Sequence, residues 1–455
     1  MYPTDIWLGP DDSSNIVRGT ESDPFPPFWR ALMIAAGFAS VDITPALGTA
    51  MPGGFSPRPS TGILDPLGVH ACVVAGAEPI ACVGVDAVSV PDPVAREAKQ
   101  AIASRCPLAP EAVLIAASHT HCGGPANSVL GTDADPAYQA RIAQAIADAV
   151  CTAWECRVPA TLTVGKAPCP GWAFNRRWTM RNGGEATNPG KSNPDAIRPA
   201  GPVDDELGIV ACHDQAGTLL GYIGSFTCHS TVIWGTQFSG DYSAYWRDAL
   251  GAPLVFLNGA CGDINQINFA SPDTKESGPA HAKAMAQALA AASRAALAKA
   301  TPLSEAQVGH RHREVTLGLR VPSAEQEAED RALVTVPENE WGSPHWQARD
   351  RLLLLADLAG AKSLVCEVST YHLGPAVIPA APWQPFCEFG LRLKQGIDTE
   401  FVFPASFANG SIGYVPTPQA FAGGGYEPTL CRGSKLIPET GDTIVAALLA
   451  LANQS

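Results

Sequence analysis

No CxxC pair occurs among the thirteen cysteines of this chain, so neither a zinc ribbon nor a thioredoxin-type motif is encoded. No apolar run approaches a bilayer span either. The longest, ALMIAAGFA and TIVAALLALA, fall far short of the ~20 residues required. A basic stripe is also missing: 30 Lys and Arg stand against 44 Asp and Glu, a formal charge of −14. Phosphate backbones need clustered cations, so no nucleic-acid partner is expected. The opening MYPTDIWLGPDDSSN lacks the basic and apolar regions of a secretory signal. Cys72, Cys82 and Cys212 lie in apolar runs and read as buried free thiols. A reducing cytoplasm is the expected location.

Charge is scarce at 16%, whereas 43 Gly, 40 Pro and 46% hydrophobic residues are abundant. Such a balance implies a large core crossed by short elements and shaped loops. Residues 1–35 are rich in Pro, Asp and Ser and read as an N-terminal arm; 36–455 read as one domain. AGFASVDITP, HACVVAG and PIACVGVDAVSV are β-branched apolar runs bounded by turn formers, hence strands. PVAREAKQAIASRC is amphipathic and helical, and it leads into AVLIAASHTHCGGP, a strand ending in a polar loop. Asp135-Pro136 opens a helix through PAYQARIAQAIADAVCTAW. Strands follow at 160–166, 207–213 and 218–228, then GAPLVFLNGACGD, and the Ala-rich HAKAMAQALAAASRAALAKA is a helix. Further strands near 306–318 and 363–373 flank the helix PHWQARDRLLLLADLA, and DTIVAALLALAN closes the chain as a helix. No internal repeat is visible. The expected class is α/β, with mixed multi-stranded sheets and flanking helices.

Polar residues gather where apolar strands end. In Ser118-His119-Thr120-His121 an extended backbone would put both imidazoles on one face, which suits a divalent transition metal. His229 ends the strand GYIGSFTCH. Asp241 precedes the helix SAYWRDAL and reads as its N-cap. In Asn258-Gly259-Ala260-Cys261-Gly262-Asp263-Ile264-Asn265-Gln266 the glycines permit close approach, and Asp263 and Asn265 can orient a ligand. His310 and His312 form a second HxH, interleaved with arginines on a surface strand, and are not expected to hold metal. Trp172, Trp178, Trp234, Trp246 and Trp383 lie beside these motifs and are candidates for a pocket wall.

Taken in order, AGFASVDITPALGTAMPGG, SHTHCGGP, NRRW at 175–178, VDDELGIV, CHST, SGDYSAYW, NGACGDINQ, FCEFGLRL and GYVPT…YEPT resemble the neutral ceramidases from about Ala36 to about Ser434. That family comprises zinc amidases that hydrolyse the N-acyl bond of ceramide. The resemblance implies a ceramidase-like catalytic domain with His119, His229, Glu388 and Tyr414 as zinc ligands. It also implies His121 beside the metal, Tyr426 at the developing oxyanion and Arg176 on the substrate. Two imidazoles, a carboxylate and a phenolate leave a position for water, whose pKa zinc brings to about 7, and the metal also polarises a carbonyl. Zinc suits this set, as manganese or iron would. His121 or Asp263 is available to protonate the leaving amine.

Asn265 stands where the family carries a serine, and an amide cannot be an acyl-enzyme nucleophile, so attack by water is expected. The family's immunoglobulin-like domain and mucin-like stalk are not recognised here, which shifts expectation from ceramide to a smaller acyl-amide substrate. An esterase or lactonase on the same site, or a non-catalytic binding homologue, are the alternatives. Asp86 resembles a family aspartate at a strand end, with a supporting role. The oligomeric state is left open.

Overall fold

A computed structural model describes residues 34–272, 275–303 and 307–454. The expected arm lies outside the described residues except for its last two positions. β1 (Ala35–Asp42), β2 (Gly68–Ala75), β3 (Ile80–Val85), α1 (Asp92–Ala103), β4 (Val113–Ala117) and α2 (Pro136–Glu155) form the first run. A second run follows: β5 (Val158–Pro168), β6 (Glu206–Asp214), β7 (Leu219–Phe226), α3 (Tyr242–Leu250), β8 (Leu254–Asn258) and α4 (Pro279–Leu297). The strands order as β8-β7-β6-β5-β1-β2-β3-β4.

Each run makes two antiparallel pairings and then a parallel one across a crossover helix. The second half therefore repeats the topology of the first, a duplication the sequence does not disclose. Matching glycines support it. Gly37 in β1 admits the end of α2 at Ala153, and Gly165 in β5 admits the end of α4 at Ala296.

Within the sheet the halves pair at Ala35↔Pro159 and Ala36↔Val158. β8 instead lies back against β3 and β4. A Cβ at Gly84 would stand 3.1 Å from the Phe256 oxygen, so glycine eases this approach. Consequently the loops after β3, β4, β7 and β8 meet at one place.

Apolar side chains alternate between two faces. Val83, Val85, Ile115 and Ala117 pack with Ile142 and Ile146 of α2. Cys72, Leu114 and Val210 face Tyr371 and Ile378 of a second sheet, made of Val308–Gly318, Ser363–Leu373, Ala376–Ala380 and Phe401–Val402. The far side of that sheet packs on the helices Cys387–Gly396 and Thr440–Ala452 through Val368, Leu393 and Leu448. The layers thus run helices, sheet, sheet, helices. Cys72, Cys82 and Cys212 are buried free thiols, as expected. No helix among the described residues is long and apolar enough to cross a membrane.

Candidate functional site

The strand β4 stops at Ala117, and the chain then turns: His119 has φ +66°. The extended backbone expected through SHTH is therefore absent. A left-handed β-carbon residue costs on the order of 1–3 kcal/mol and persists where the surroundings enforce it. Here they do. The amide of His119 donates to Ala87, that of His121 to Ser230, and that of His229 to Ile264. Asn258, at the end of β8, clamps two loops by donating its side-chain amide to Ser118 O (3.1 Å) and Cys228 O (3.0 Å).

Three imidazoles converge from these loops. His119 Nε2 lies 3.0 Å from His229 Nε2 and 3.4 Å from His121 Nε2. On the far side of each ring, Nδ1 meets a backbone carbonyl: Val88 O at 2.6 Å for His119, Gly53 O at 3.2 Å for His121, and Cys261 O at 3.0 Å for His229. A carbonyl only accepts, so each Nδ1 carries the proton and each Nε2 presents a lone pair. Burial pulls all three pKa values down, His121 to about 3 with help from the Arg58 charge, so the rings are neutral. Neutral imidazoles with converging lone pairs and fixed tautomers are the chemistry of a metal site. The cluster can hold a metal ion, and no acidic side chain among the described residues joins it. Phe407 stacks flat on His119 at 4.0 Å, and Trp234 lies beside His121.

A cavity of about 360 Å³ opens from His119 and His121, with Tyr414, Tyr426, Trp383 and Gln384 in its wall. Farther along stand Asp350 and Arg432, paired at 2.7 Å, and Lys435. Tyr414 is buried, and burial raises its pKa against the pull of Arg176. Arg176 Nη2 donates to Tyr414 Oη at 3.0 Å and to Gly262 O, and its Nε donates to Glu427 at 2.9 Å. Burial works against this guanidinium charge, but the Tyr414 oxygen and Glu427 outweigh it and hold its pKa up. Arg176 thus aims Tyr414 from behind. Burial also pushes the Tyr426 phenol far up, so it stays protonated.

Other expected residues lie elsewhere. Glu388 is exposed in the first turn of Cys387–Gly396 and lines a separate cavity with Arg177 and Glu185; it does not join the histidines. Asp263 borders that second cavity too. Its carboxylate accepts from Asn175 Nδ2 and the Cys387 amide, both at 2.7 Å, and burial pushes it up to about 6. It fastens the start of this helix and does not line the cavity at the histidines. Asn265 bonds Asn188 and the Ile267 amide, both at 3.0 Å, and holds a loop outside the cavity wall. Asp241 caps α3, as expected. Asp86 supports the loop after β3 by accepting from the Gly68 amide at 3.0 Å.

Gln384 was not anticipated. It lies on the short strand Trp383–Pro385, directly opposite Tyr414 in a parallel pairing with Gly413–Val415. Its amide is 3.2 Å from His119 Nε2 and 3.5 Å from His229 Nε2. A polar residue between Trp383 and Pro385 in an apolar strand was the available signal.

The architecture is a ceramidase-like α/β fold. Among solved structures, the neutral ceramidase from Pseudomonas aeruginosa superposes with a TM-score of 0.70 at 18% identity, over 92% of this chain and 74% of that one. A ceramidase complexed with C2 gives 0.69 at 18%, over 92% and 75%. No protein-family model matches the chain, and no curated protein matches it in sequence. The likeness is one of fold, carried by a divergent sequence.

Proposed function

We propose that residues 36–455 form one metallohydrolase domain that cleaves the N-acyl bond of a small or medium-sized amide, with zinc as the cofactor. The observation that carries this reading is the convergence of three Nε2 lone pairs on a ceramidase-like fold. A zinc ion held there would activate a water and polarise the scissile carbonyl. The chain's own groups serve the rest. Tyr426 keeps its proton and donates it in a hydrogen bond to the developing oxyanion, a contact of about 3–4 kcal/mol in comparable sites. Arg176 fixes Tyr414 beside the histidines. A cavity of about 360 Å³ matches a compact substrate rather than an extended one. The free cysteines support a reducing, cytoplasmic setting.

The test is a panel of N-acyl and O-acyl substrates offered to zinc-loaded and chelator-treated protein. Amide turnover that vanishes on chelation and returns with zinc supports the reading. Turnover of esters or lactones alone would transfer the site to that chemistry, and turnover indifferent to chelation would remove the metal from it.

A further inference from the structure

We infer that the metal shell is free of carboxylate: His119, His121 and His229 supply three nitrogens, and the Gln384 amide stands where an acidic ligand would. The inference rests on reading this pocket as a metal site, and it changes the ligand set that sequence resemblance implies. His121 becomes a ligand rather than a bystander, and Glu388 drops out.

The histidine geometry leads here first. All three Nδ1–H groups are engaged by Val88, Gly53 and Cys261 carbonyls, so no ring can turn its proton inward without losing a buried bond. Three lone pairs then face one another at 3.0 and 3.4 Å. Lone pairs at that spacing repel unless a proton or cation lies between them. One cation satisfies all three, whereas a two-histidine site would leave His121 Nε2 facing its neighbours without a partner.

Gln384 supplies the second observation. Register places it across from Tyr414, so the two side chains leave adjacent strands toward the same point. Its Nε2 lies nearest His119 and His229, and a half-turn of the amide exchanges nitrogen for oxygen at the same place. The oxygen is then a neutral fourth ligand or an acceptor for bound water. Four neutral groups leave the cation's full double charge in place, with the Arg176 cation nearby behind Tyr414. Such a shell binds metal less tightly than one with a carboxylate and favours anionic ligands.

The experiment titrates zinc into chelator-stripped full-length protein against a chromophoric competitor and records the visible spectrum of the Co2+ form. His121→Gln and His121→Ala should each weaken zinc on the order of 100-fold and alter the Co2+ bands. Gln384→Glu should tighten zinc by about 10-fold or more and shift those bands. His310→Gln, in the unrelated HxH, should change nothing. Unaltered zinc affinity and Co2+ spectrum in both His121 variants would overturn the inference. If those variants fail to fold, as judged by circular dichroism, an unchanged Gln384→Glu spectrum and affinity overturns it instead. Wild-type protein that takes up no metal overturns it as well. A wild type that binds zinc through His121 yet cleaves no amide defeats the proposed activity alone.

Discussion

Glu427 is fully buried and accepts hydrogen bonds from Arg176 (2.9 Å), Arg177 (2.6 Å) and Thr187 (2.7 Å). Glu427 is thereby the carboxylate paired with Arg176, which aims Tyr414, and it shares Arg177 with Glu185. Glu427→Gln keeps the shape and removes the charge. It should cost on the order of 3–5 kcal/mol in urea unfolding, because the Arg176 cation is left buried without a counter-ion while Arg177 keeps Glu185. A loss below about 1 kcal/mol would show that Arg176 finds another partner. Asp241 provides a pH-dependent case. Burial pushes its carboxyl up to about 7, against about 3.9 in an unfolded chain. Between these values the folded form holds a proton that the unfolded chain has released. Its contribution to stability is therefore full below about pH 4 and is lost as pH rises to 7. Asp241→Asn cannot ionise, so the stability of wild type relative to this variant should fall over that range. A difference that does not vary with pH would contradict the buried-carboxyl origin of the shift.

At the scale of elements, the site depends on loops whose conformation only particular residues permit. Gly53 has φ +92°, offers its carbonyl to His121 Nδ1, and lies so close that a Cβ would collide with the imidazole. Gly53→Ala should displace His121 and weaken zinc binding about 10- to 100-fold, as loss of an orienting contact does elsewhere. A zinc titration showing no change would mean that the loop yields without moving the ring. Most elements were legible in the sequence. The strand expected at 363–373 is Ser363–Leu373, and the helix opened by Asp135-Pro136 runs Pro136–Glu155. Periodicity and caps are local properties, so they survive in the chain order. The surroundings of the histidines were less legible. Glu388 and Gln384 are four residues apart, and a motif read by residue type favours the acid. Only strand pairing with Tyr414 reveals that the amide faces the histidines.

For the whole molecule, the informative fact is how two distant loops meet. His119 follows β4 and His229 follows β7, strands at nearly opposite ends of the sheet order, yet their Nε2 atoms are 3.0 Å apart. The fold-back of β8 onto β3 and β4 brings them together, helped by the bare backbone at Gly84. No local pattern encodes that closure, and the topological repeat behind it has left no readable repeat in the residues. The α/β class was visible in the alternation of strands and helices; the layering of one sheet on another was not, since it is decided by contacts between segments far apart in the chain. The convergence can be tested directly by diffraction from crystals of zinc-supplemented protein, collected on both sides of the zinc absorption edge. One anomalous peak should lie about 2.0–2.1 Å from Nε2 of His119, His121 and His229. Zinc-soaked crystals with no peak among these three rings, or with the rings apart, would contradict the metal site and the chemistry built on it.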